Sequence, residues 1–357
     1  MQALRLYAGP SARQHIEHHG LRPNDVGVIP AAAGGPKGLI LGPIDRFVFG
    51  HWLPQSAQPV HLVGASIGAW RMATACLDAP VAAFERLERD YIAQHYALPP
   101  GQKRPTPDQV SEQFSGNLKL FYGGRIPEVL NHPRYRLHIV TSRGRHLLGR
   151  EGRWRTPLGY LGAFASNALH RKALGAWLER VVFSNCTELP FDPHDFRTRQ
   201  VPLSEANFMD ALQASCSIPF VLRPVHGIAG APPGTYWDGG ITDYHLHLRY
   251  QAPADAPIVL YPHFQQAVVP GWLDKAWKGR HRSSPALDSM LVLAPDADWV
   301  KTLPGAKLPD RQDFTRYGPD LAGRMKAWRT ATAASQQLAD EFAQWLDRPD
   351  PTRLQPL

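Results

Sequence analysis

The sequence predicts an α/β fold, a three-layer sandwich with a central, mostly parallel sheet flanked by helices. Short apolar runs that suit strands alternate with longer helical segments, and this alternation is typical of parallel sheets wrapped by helices. The chain has 357 residues, of which 43% are hydrophobic, so it can bury a sizeable core. These numbers allow one large α/β domain with additions, or two smaller domains.

The first predicted elements bring two loops to one edge of the sheet. A helix is predicted over residues 11–19, a strand over 25–30 and a helix over 39–49. A further strand begins at Val60 and leads through a glycine-flanked serine into a helix that runs to Leu77. Since ligands of such sheets bind beyond the carboxyl ends of the strands, the loops after these two strands are expected to lie together.

The later part of the chain continues the alternation less regularly. Helices are predicted over residues 79–97, 204–214 (capped by Ser204) and 320–346. Strands are predicted over residues 135–141, 181–185, 257–261 and 289–293. The proline-rich tail is expected to be loose. The segment between the predicted helix at 79–97 and about residue 133 suits a connector or a lid. Between residues 143 and 180, arginines alternate with aromatic side chains, which suits nucleic acid, a membrane interface or a solvated helical hairpin.

Charge and cysteine content limit the partners and the compartment. The net charge of +8 and the pI near 9.5 imply attraction to anionic surfaces or substrates. Three widely spaced cysteines argue against a disulfide framework. Without a signal-like N-terminus or a run of about eighteen apolar residues, a cytoplasmic protein is the simplest expectation.

No metal site or cofactor is expected from the sequence. It contains no CxxC, no tight Cys/His cluster and no calcium-binding loop. His15, His18 and His19 share one face of the first predicted helix, and His245 and His247 alternate as on one face of a strand. Surface or strand histidines explain both groups better than a metal does.

The most informative motif is Gly64-Ala65-Ser66-Ile67-Gly68, which has the GxSxG pattern of a nucleophile elbow. A turn this sharp holds its central residue in strained backbone geometry, and the glycines allow strand and helix to approach closely. Ser66 is expected at a helix N-terminus with its hydroxyl exposed, where the positive potential favours developing negative charge. In isolation the motif suits a plain structural turn equally well.

A second glycine-rich loop precedes this motif. Gly34, Gly35, Lys37 and Gly38 follow the predicted strand at 25–30, the place expected of an oxyanion loop, and glycine N–H groups there are unobstructed by side chains. The loop fits neither GxxxxGK[ST] nor GxGxxG. Nucleotide binding is therefore disfavoured.

Two kinds of base are compatible with a reactive Ser66. The order typical of α/β-hydrolases places a histidine late in the chain, with His245, His247, His263 and His281 as candidates. Alternatively, the aspartate of Asp238-Gly239-Gly240 acts directly on the serine. Taken alone, an aspartate followed by two glycines is as typical of a turn.

Taken together and in order, these motifs resemble the patatin-like phospholipase family, in its bacterial form. The segment Ala214-Ser215-Cys216-Ser217-Ile218-Pro219-Phe220 resembles the small-residue stretch that precedes the family's aspartate loop. The resemblance implies a patatin-like acyl hydrolase domain over residues 1–320, which includes the basic aromatic insertion at about 143–180, and a C-terminal helix and tail over 321–357.

The resemblance also implies roles for individual residues. Ser66 would attack the ester carbonyl, and Asp238 would serve as general base without a histidine. The oxyanion hole would be formed by Gly34, Gly35, Lys37 and Gly38, with donors at the Gly35 and Gly38 N–H groups. The elbow would be shaped by Gly64 and Gly68, and the aspartate loop by Gly239 and Gly240.

The implied activity is that of a serine lipid acyl hydrolase of the phospholipase A or lysophospholipase type. Its partners would be an acyl lipid substrate and, peripherally, an anionic membrane, with no nucleic acid and no cofactor. The alternatives are an esterase, thioesterase or acyltransferase on another acyl substrate, or a catalytically silent lipid-binding protein.

Three features depart from the family pattern or leave a role open. Pro36 removes one potential donor from the loop. Lys37 stands where many members carry arginine, and it would either anchor an anionic headgroup or pack against the loop. Asp243 and His245 either tune Asp238 or belong to a strand that continues into the core, and the strand is the favoured interpretation.

Overall fold

An eleven-stranded sheet forms the centre of the computed structural model, which describes residues 1–102 and 104–357. In chain order the strands are β1 (Leu4–Ala8), β2 (Val26–Ala31), β3 (Val60–Ala65), β4 (Tyr135–Gly144), β5 (Leu178–Ser184), β6 (Thr198–Pro202), β7 (Val225–His226), β8 (Thr235–Asp238), β9 (Ile258–Pro262), β10 (Met290–Pro295) and β11 (Leu354–Pro356).

The sheet is mostly parallel, as the sequence predicts. Its spatial order is β11-β1-β10-β9-β2-β3-β4-β5-β6, with the short β8 paired to β4 and to β7. The five strands from β10 to β4 run parallel to one another, whereas β1 is antiparallel to β10 and β5 is antiparallel to β4. The predicted α/β class with a central, mostly parallel sheet is confirmed.

Twelve α-helices in the described residues surround the sheet. They are α1 (Pro10–His19), α2 (Gly42–Phe47), α3 (Ile67–Ala75), α4 (Pro80–Ala93), α5 (Pro107–Tyr122), α6 (Ile126–Leu130), α7 (Arg155–Leu169), α8 (Phe208–Cys216), α9 (Ala297–Lys301), α10 (Gln312–Tyr317), α11 (Leu321–Ala334) and α12 (Gln336–Asp347). Among them, none is both long enough and apolar enough to cross a membrane.

The central strands are buried along almost their whole length. Every residue of β2 and of β5 is buried, and in β3 only His61 is partly exposed. Strands covered by helices on both faces need apolar residues at successive positions rather than at alternate ones. This requirement explains why β3 has an almost continuous apolar run.

The end of β3 determines which residues meet at the carboxyl edge of the sheet. Ala65, the last residue of β3, pairs with Val140 of β4, and the chain then turns away at Ser66. The next residue of β4, Thr141, pairs instead with Asp238 at the end of β8. β8 thus occupies the place beside β4 that β3 leaves, so the residues that follow the two strands become neighbours.

The C-terminal region differs from its prediction. Two helices, α11 and α12, separated at Ser335, replace the single helix expected over 320–346, and α12 packs against β1 and α2. The expected loose tail is wrong, because Leu354–Pro356 forms β11, which pairs in parallel with β1. An unpaired strand edge leaves N–H and C=O groups without partners, and β11 satisfies those of β1.

The strand predicted around His245 and His247 is also wrong. After a 3-10 turn at Gly239–Ile241 the chain is irregular, and Leu246 has a φ of 51°. The backbone N–H of His245 bonds to the carbonyl of Val269, an equally irregular segment, so the two histidines do not lie on a regular strand face.

Other differences concern the ends of elements. The helix predicted from Ser204 begins at Phe208, with Asn207 as the preceding residue. The helix predicted over 39–49 is a succession of a 3-10 helix (Gly35–Leu41), α2 and a π-helical turn (Val48–Trp52). The segment interpreted as a connector or lid contains α5, whose capping box at Thr106 and Gln109 is visible in the sequence.

Candidate active site

Ser66 forms the strained strand-to-helix turn that its motif predicts. It lies between β3 and α3 with φ 57° and ψ −129°, a left-handed region that a serine rarely adopts. A Cβ atom at Gly64 would overlap the backbone of Ala69, and one at Gly68 would overlap the carbonyl of Ala31. The two glycines are therefore required by the close approach of α3 to β2 and β3.

The hydroxyl of Ser66 is hydrogen-bonded to the carboxylate of Asp238. The Ser66 Oγ donates to Asp238 Oδ2 at 2.7 Å, and the other oxygen, Oδ1, accepts from the N–H of Gly240 at 2.7 Å. Ser66 is only 3% exposed and Asp238 only 6%. The expectation of an exposed hydroxyl is wrong, because the side chain points inward to the aspartate.

The four late histidines have other partners. The Nδ1 atoms of His245, His247 and His263 lie within hydrogen-bond distance of the carbonyls of Ala267, Val268 and Gln265. His281 Nε2 lies 2.9 Å from the carbonyl of Asp274. None of the four is a hydrogen-bond partner of the Ser66 side chain in the described part of the chain, whereas Asp238 is one.

The end of α8 and the residue that follows it position both Ser66 and Asp238. Ser215 Oγ accepts from the Ser66 N–H at 2.9 Å and donates to the Val140 carbonyl at 2.7 Å. The N–H of Asp238 donates to the carbonyl of Ser217 at 2.9 Å. The resemblance singles out this stretch without giving it a role. Its role depends on a contact between residues 149 positions apart, which no local pattern shows.

The glycine-rich loop lies beside the elbow and the aspartate loop. Gly34 leads into the 3-10 helix Gly35–Leu41, and Gly35 has a φ of 57°. A Cβ at Gly240 would lie 2.6 Å from the Ala33 side chain, so the aspartate loop packs directly against the start of the glycine-rich loop. The structure thus brings together the three predicted groups of site residues.

The two remaining site glycines and Lys37 border the same place. A Cβ at Gly239 would overlap the carbonyl of Val140, whereas one at Gly38 would make an ordinary contact with Ile67, directly after the serine. Pro36, between Gly35 and Lys37, has no N–H to donate. The first N–H groups of a helix have no partner within it, and Gly35 is the first residue of this 3-10 helix.

Three cations surround these loops. Lys37 Nζ lies 5.2 Å from the centroid of the Phe264 ring, and Lys275 Nζ lies 3.9 Å from that of Tyr244. The Arg311 side chain lies against Gly35, where a Cβ would be 3.1 Å from its Nε. In residues 1–102 and 104–357, none of the three has a carboxylate within ion-pair distance. Sequence reasoning missed Lys275 and Arg311, which lie far from every motif.

The surroundings shift the pKa values of the site. Burial raises the pKa of Asp238, and the hydrogen bond from Ser66, the charge of Arg311 and the N–H of Gly240 counteract this only in part. Desolvation, together with the charges of Lys37 and Arg311, lowers the pKa of Lys275 to about 8. Desolvation also lowers the pKa of Lys37.

Asp243 holds the aspartate loop through a buried ion pair. Its two carboxylate oxygens accept from Nε and Nη2 of Arg180 at 2.7 and 2.6 Å, and Arg180 is completely buried. Burial alone would raise the pKa of Asp243, but the Arg180 guanidinium holds it below its usual value. The ring of His245 stacks on that of Tyr244. The contacts of Asp243 and His245 are those of residues that fix the loop.

A strained serine, a hydrogen-bonded carboxylate and an adjacent glycine-rich loop resemble the construction of a serine hydrolase on an α/β fold. The family model for patatin-like phospholipases matches residues 35–246, more than half of the chain, and this range contains Ser66 and Asp238. The chain belongs to the patatin-like phospholipase family, and membership supports a lipid acyl hydrolase in general. No curated protein sequence matches it.

Proposed function

We propose that the protein is a serine acyl hydrolase of the phospholipase A or lysophospholipase type, with Ser66 as nucleophile and Asp238 as general base. The observation that carries the proposal is the 2.7 Å hydrogen bond from Ser66 Oγ to Asp238 Oδ2 within a strained turn. A dormant structural turn would not need a buried carboxylate on its hydroxyl, because such a carboxylate is costly to desolvate.

The reaction follows from this contact. Asp238 takes the hydroxyl proton as Ser66 Oγ forms a bond to the ester carbonyl carbon, and the carbonyl oxygen becomes an oxyanion. N–H groups of the glycine-rich loop, at Gly35 and Gly38, stabilise that charge; Gly34 and Lys37 complete the loop. The oxyanion then collapses, the ester bond breaks, and the leaving alcohol takes the proton from Asp238. Water hydrolyses the acyl-serine by the same steps.

The raised pKa of Asp238 supports its role as base. An aspartate in water has a pKa of about 3.9 and is a weak acceptor for a serine proton. Burial raises the pKa of Asp238, which makes the proton transfer less unfavourable. Because the site is shielded from water, the charges that develop on the oxyanion are also less screened.

Three cations that have no carboxylate partner among the described residues support an anionic substrate. Lys37, Lys275 and Arg311 lie around the loops that carry Ser66 and Asp238, and a phosphate or carboxylate group near the scissile ester would supply the missing countercharge. This arrangement favours an acyl lipid with an anionic headgroup over a neutral ester.

We assign the lipid chain to a cleft whose lining includes Trp237, the residue before Asp238; Ser66 and Asp238 themselves do not line it. The cleft has a volume of about 470 Å³, and Phe220, Leu222 and Trp237 form its apolar part. Trp237 precedes Asp238 in β8 and contacts the buried ring of Tyr160. A volume of this size is typical of small-molecule sites.

The exposed face of α7, together with Trp154 just before the helix, supports docking on an anionic membrane. Trp154, Leu158 and Leu161 are 72%, 55% and 64% exposed, although apolar side chains of this size are usually buried. The opposite face of α7 carries Tyr160, which contacts Trp237 beside the aspartate. Exposed basic residues flank the apolar face and suit anionic headgroups; they are Arg150, Arg153, Arg155 and Lys172.

A reducing compartment is consistent with the cysteines. Cys76, Cys186 and Cys216 are all free thiols, as proteins of the cytoplasm usually have. We therefore place the protein in the cytoplasm, with reversible contact to the membrane.

Fatty acid release tests the proposal. The wild-type protein should release fatty acid from phosphatidylglycerol vesicles, and a fluorophosphonate probe should label Ser66, located by mass spectrometry of the peptide. Ser66→Ala should lose both the labelling and at least about 10³-fold of the activity. Absence of release from every phospholipid and short-chain ester, or full activity of Ser66→Ala, would overturn the proposal.

Two further measurements separate the alternatives. An added alcohol acceptor that collects the acyl group instead of water would indicate an acyltransferase. A folded protein that binds vesicles but is not labelled would indicate a silent lipid-binding protein.

Vesicle binding tests the docking surface. Replacing Trp154, Leu158 and Leu161 by serine should weaken binding to phosphatidylglycerol vesicles at least about tenfold, because each buried apolar side chain contributes about 1.5 kcal/mol or more. Leu120→Ser is the matched control, since Leu120 is 75% exposed on α5 and outside this surface. An equal loss of vesicle binding in the triple variant and in Leu120→Ser would contradict the proposed docking surface.

A further inference from the structure

A cluster of metal-binding side chains lies at the end of the sheet opposite to Ser66. His61 is the second residue of β3, His138 lies near the beginning of β4, and Cys186 follows the end of β5 by two residues. β3 and β4 are parallel neighbours, and His138 pairs with Ser184 at the end of β5. The strand order therefore assembles the cluster from three separate parts of the chain.

The three ligand atoms have the spacing that a tetrahedral metal needs. His61 Nδ1 lies 2.9 Å from His138 Nε2, and Cys186 Sγ lies 3.8 Å from the same nitrogen. All three atoms are within 4.8 Å of one another. Around Zn²⁺, bonds of about 2.0 Å to nitrogen and 2.3 Å to sulfur place neighbouring ligands about 3.3 to 3.6 Å apart. The two distances from His138 Nε2 differ from these values by a few tenths of an ångström.

A second contact fixes the central ligand. His138 is completely buried, and its Nδ1 lies 2.9 Å from Ser184 Oγ, a hydroxyl that can accept a hydrogen bond from it. With the proton on Nδ1, the lone pair of Nε2 points into the cluster. Histidine ligands of metals commonly have their other nitrogen fixed by such a partner.

The charges near the cluster permit a cation. The Arg136 guanidinium donates to the carbonyls of His132 and Pro133, which hold it in place. Glu188 is exposed and follows Cys186 by two residues, and its carboxylate offsets the charge of Arg136. On binding of a divalent cation, Cys186 releases its thiol proton to solvent and coordinates as thiolate, and the proton that His61 Nδ1 donates to His138 Nε2 moves, by exchange with solvent, to His61 Nε2.

We propose that His61 Nδ1, His138 Nε2 and Cys186 Sγ bind Zn²⁺, with water as the fourth ligand. Two imidazoles and one thiolate suit zinc better than Mg²⁺ or Ca²⁺, which prefer oxygen ligands. His61 lies five residues before Ser66, which corresponds to about 16 Å along an extended strand. The site is therefore separate from the hydrolytic centre, and its expected effect is on the stability of the β3-β4-β5 region.

The sequence conceals this cluster because its members are 77 and 48 residues apart. No short-spaced ligand motif marks it, and sequence reasoning accordingly expects no metal. Only the pairing of β3, β4 and β5 brings the three side chains together.

Metal titration of the full-length protein tests the proposal. After removal of metal with a chelator, the protein is titrated with Zn²⁺ in competition with a chromophoric chelator, and Co²⁺ is added to a second sample. We expect one tightly bound Zn²⁺ per chain, a thiolate-to-cobalt charge-transfer band in the near ultraviolet, and a higher melting temperature with Zn²⁺.

Variants identify the ligands. Cys186→Ser and His61→Gln, both at half-buried positions that tolerate polar side chains, should weaken Zn²⁺ binding about 100-fold or more, and Cys186→Ser should abolish the charge-transfer band. The controls Cys76→Ala and His226→Gln, and also Ser66→Ala, should bind as the wild type does. Circular dichroism establishes that each variant is folded.

Three results would overturn the proposal. The first is wild-type affinity for Zn²⁺ no higher than that of folded Cys186→Ser. The second is a cobalt complex without the thiolate band. The third is an equal loss of affinity in Cys76→Ala, which would indicate unspecific thiol binding.

Discussion

Asp238 and Asp243 are two buried aspartates five positions apart on the same turn, and their surroundings shift their pKa values in opposite directions. Asp238 accepts from one hydroxyl and one backbone N–H, and burial raises its pKa. Asp243 accepts from both arms of the Arg180 guanidinium, which holds its pKa below the usual value despite burial.

Under the proposed mechanism, the difference separates reactivity from stability within one loop. A carboxylate that must take a proton cannot be held by a buried cation, because the ion pair would stabilise the charged form and weaken the base. Asp243 carries that ion pair instead and fixes the loop. Pairs of titratable groups with opposite shifts are typical of catalytic sites.

The largest expected effect is that of Asp238→Asn on the reaction rate. The amide cannot take the Ser66 proton, so kcat should fall at least about 10³-fold, as expected for loss of a general base that also orients the nucleophile. The free energy of unfolding should change by about 1 kcal/mol or less, because a buried charge without a cationic partner is removed. Ester hydrolysis and urea unfolding measure the two effects.

Retention of more than a tenth of the wild-type kcat in folded Asp238→Asn would show that another group is the base. The histidines at 245 and 263 would then be the next candidates, tested by the same assay.

Asp243→Asn is expected to have the reverse effects, a large loss of stability and a smaller loss of kcat. It leaves the completely buried Arg180 with only Asp195 as an acidic partner, and loss of one partner of a buried pair is strongly destabilising. The free energy of unfolding should fall by about 3 kcal/mol, whereas kcat of the protein that remains folded at low temperature should fall less than in Asp238→Asn.

Asp195→Asn is the matched control, since Asp195 binds the same guanidinium from a partly exposed position. It should destabilise the protein by about 1 kcal/mol or less. If Asp243→Asn were as stable as the wild type but inactive, Asp243 would belong to the chemistry and the contrast between the two aspartates would be wrong.

The sequence predicts those parts of the fold and site that depend on contiguous residues. The elbow at Ser66 is predictable because Gly64 and Gly68 follow from the close approach of α3, and the central strands are predictable because burial on both faces requires uninterrupted apolar runs. The residues alone leave Asp238 as one of two kinds of base, and only the resemblance favours it, since an aspartate before two glycines is locally typical of any turn.

Features that depend on pairing across the chain are not predictable in this way. Ser215 supports Ser66 through a contact made by the end of α8, and Leu354–Pro356 becomes a strand only because β1 offers an unpaired edge. Arg311 reaches Gly35 from the beginning of α10. In each case the local sequence is compatible with several environments, and the topology selects one.

The smallest expected effect concerns the field of Arg311 at Asp238. Its positive charge lowers the pKa of Asp238 and so counteracts part of the rise that burial causes. In the proposed mechanism activity requires the carboxylate, so activity is lost as pH falls through this pKa. Arg311→Gln should therefore raise the pKa and move the acid limb of the kcat/KM profile to higher pH.

A neutral short-chain ester is the appropriate substrate, because it separates this effect from binding of an anionic headgroup. The shift between wild type and variant should decrease at high ionic strength, since Arg311 is exposed and its charge is screened by salt. Arg316→Gln, which removes another exposed arginine from α10, should leave the acid limb at its wild-type pH. An acid limb that stays fixed or moves to lower pH in Arg311→Gln would mean that Asp238 does not govern the pH dependence. The raised pKa that distinguishes Asp238 from Asp243 would then have no part in the reaction.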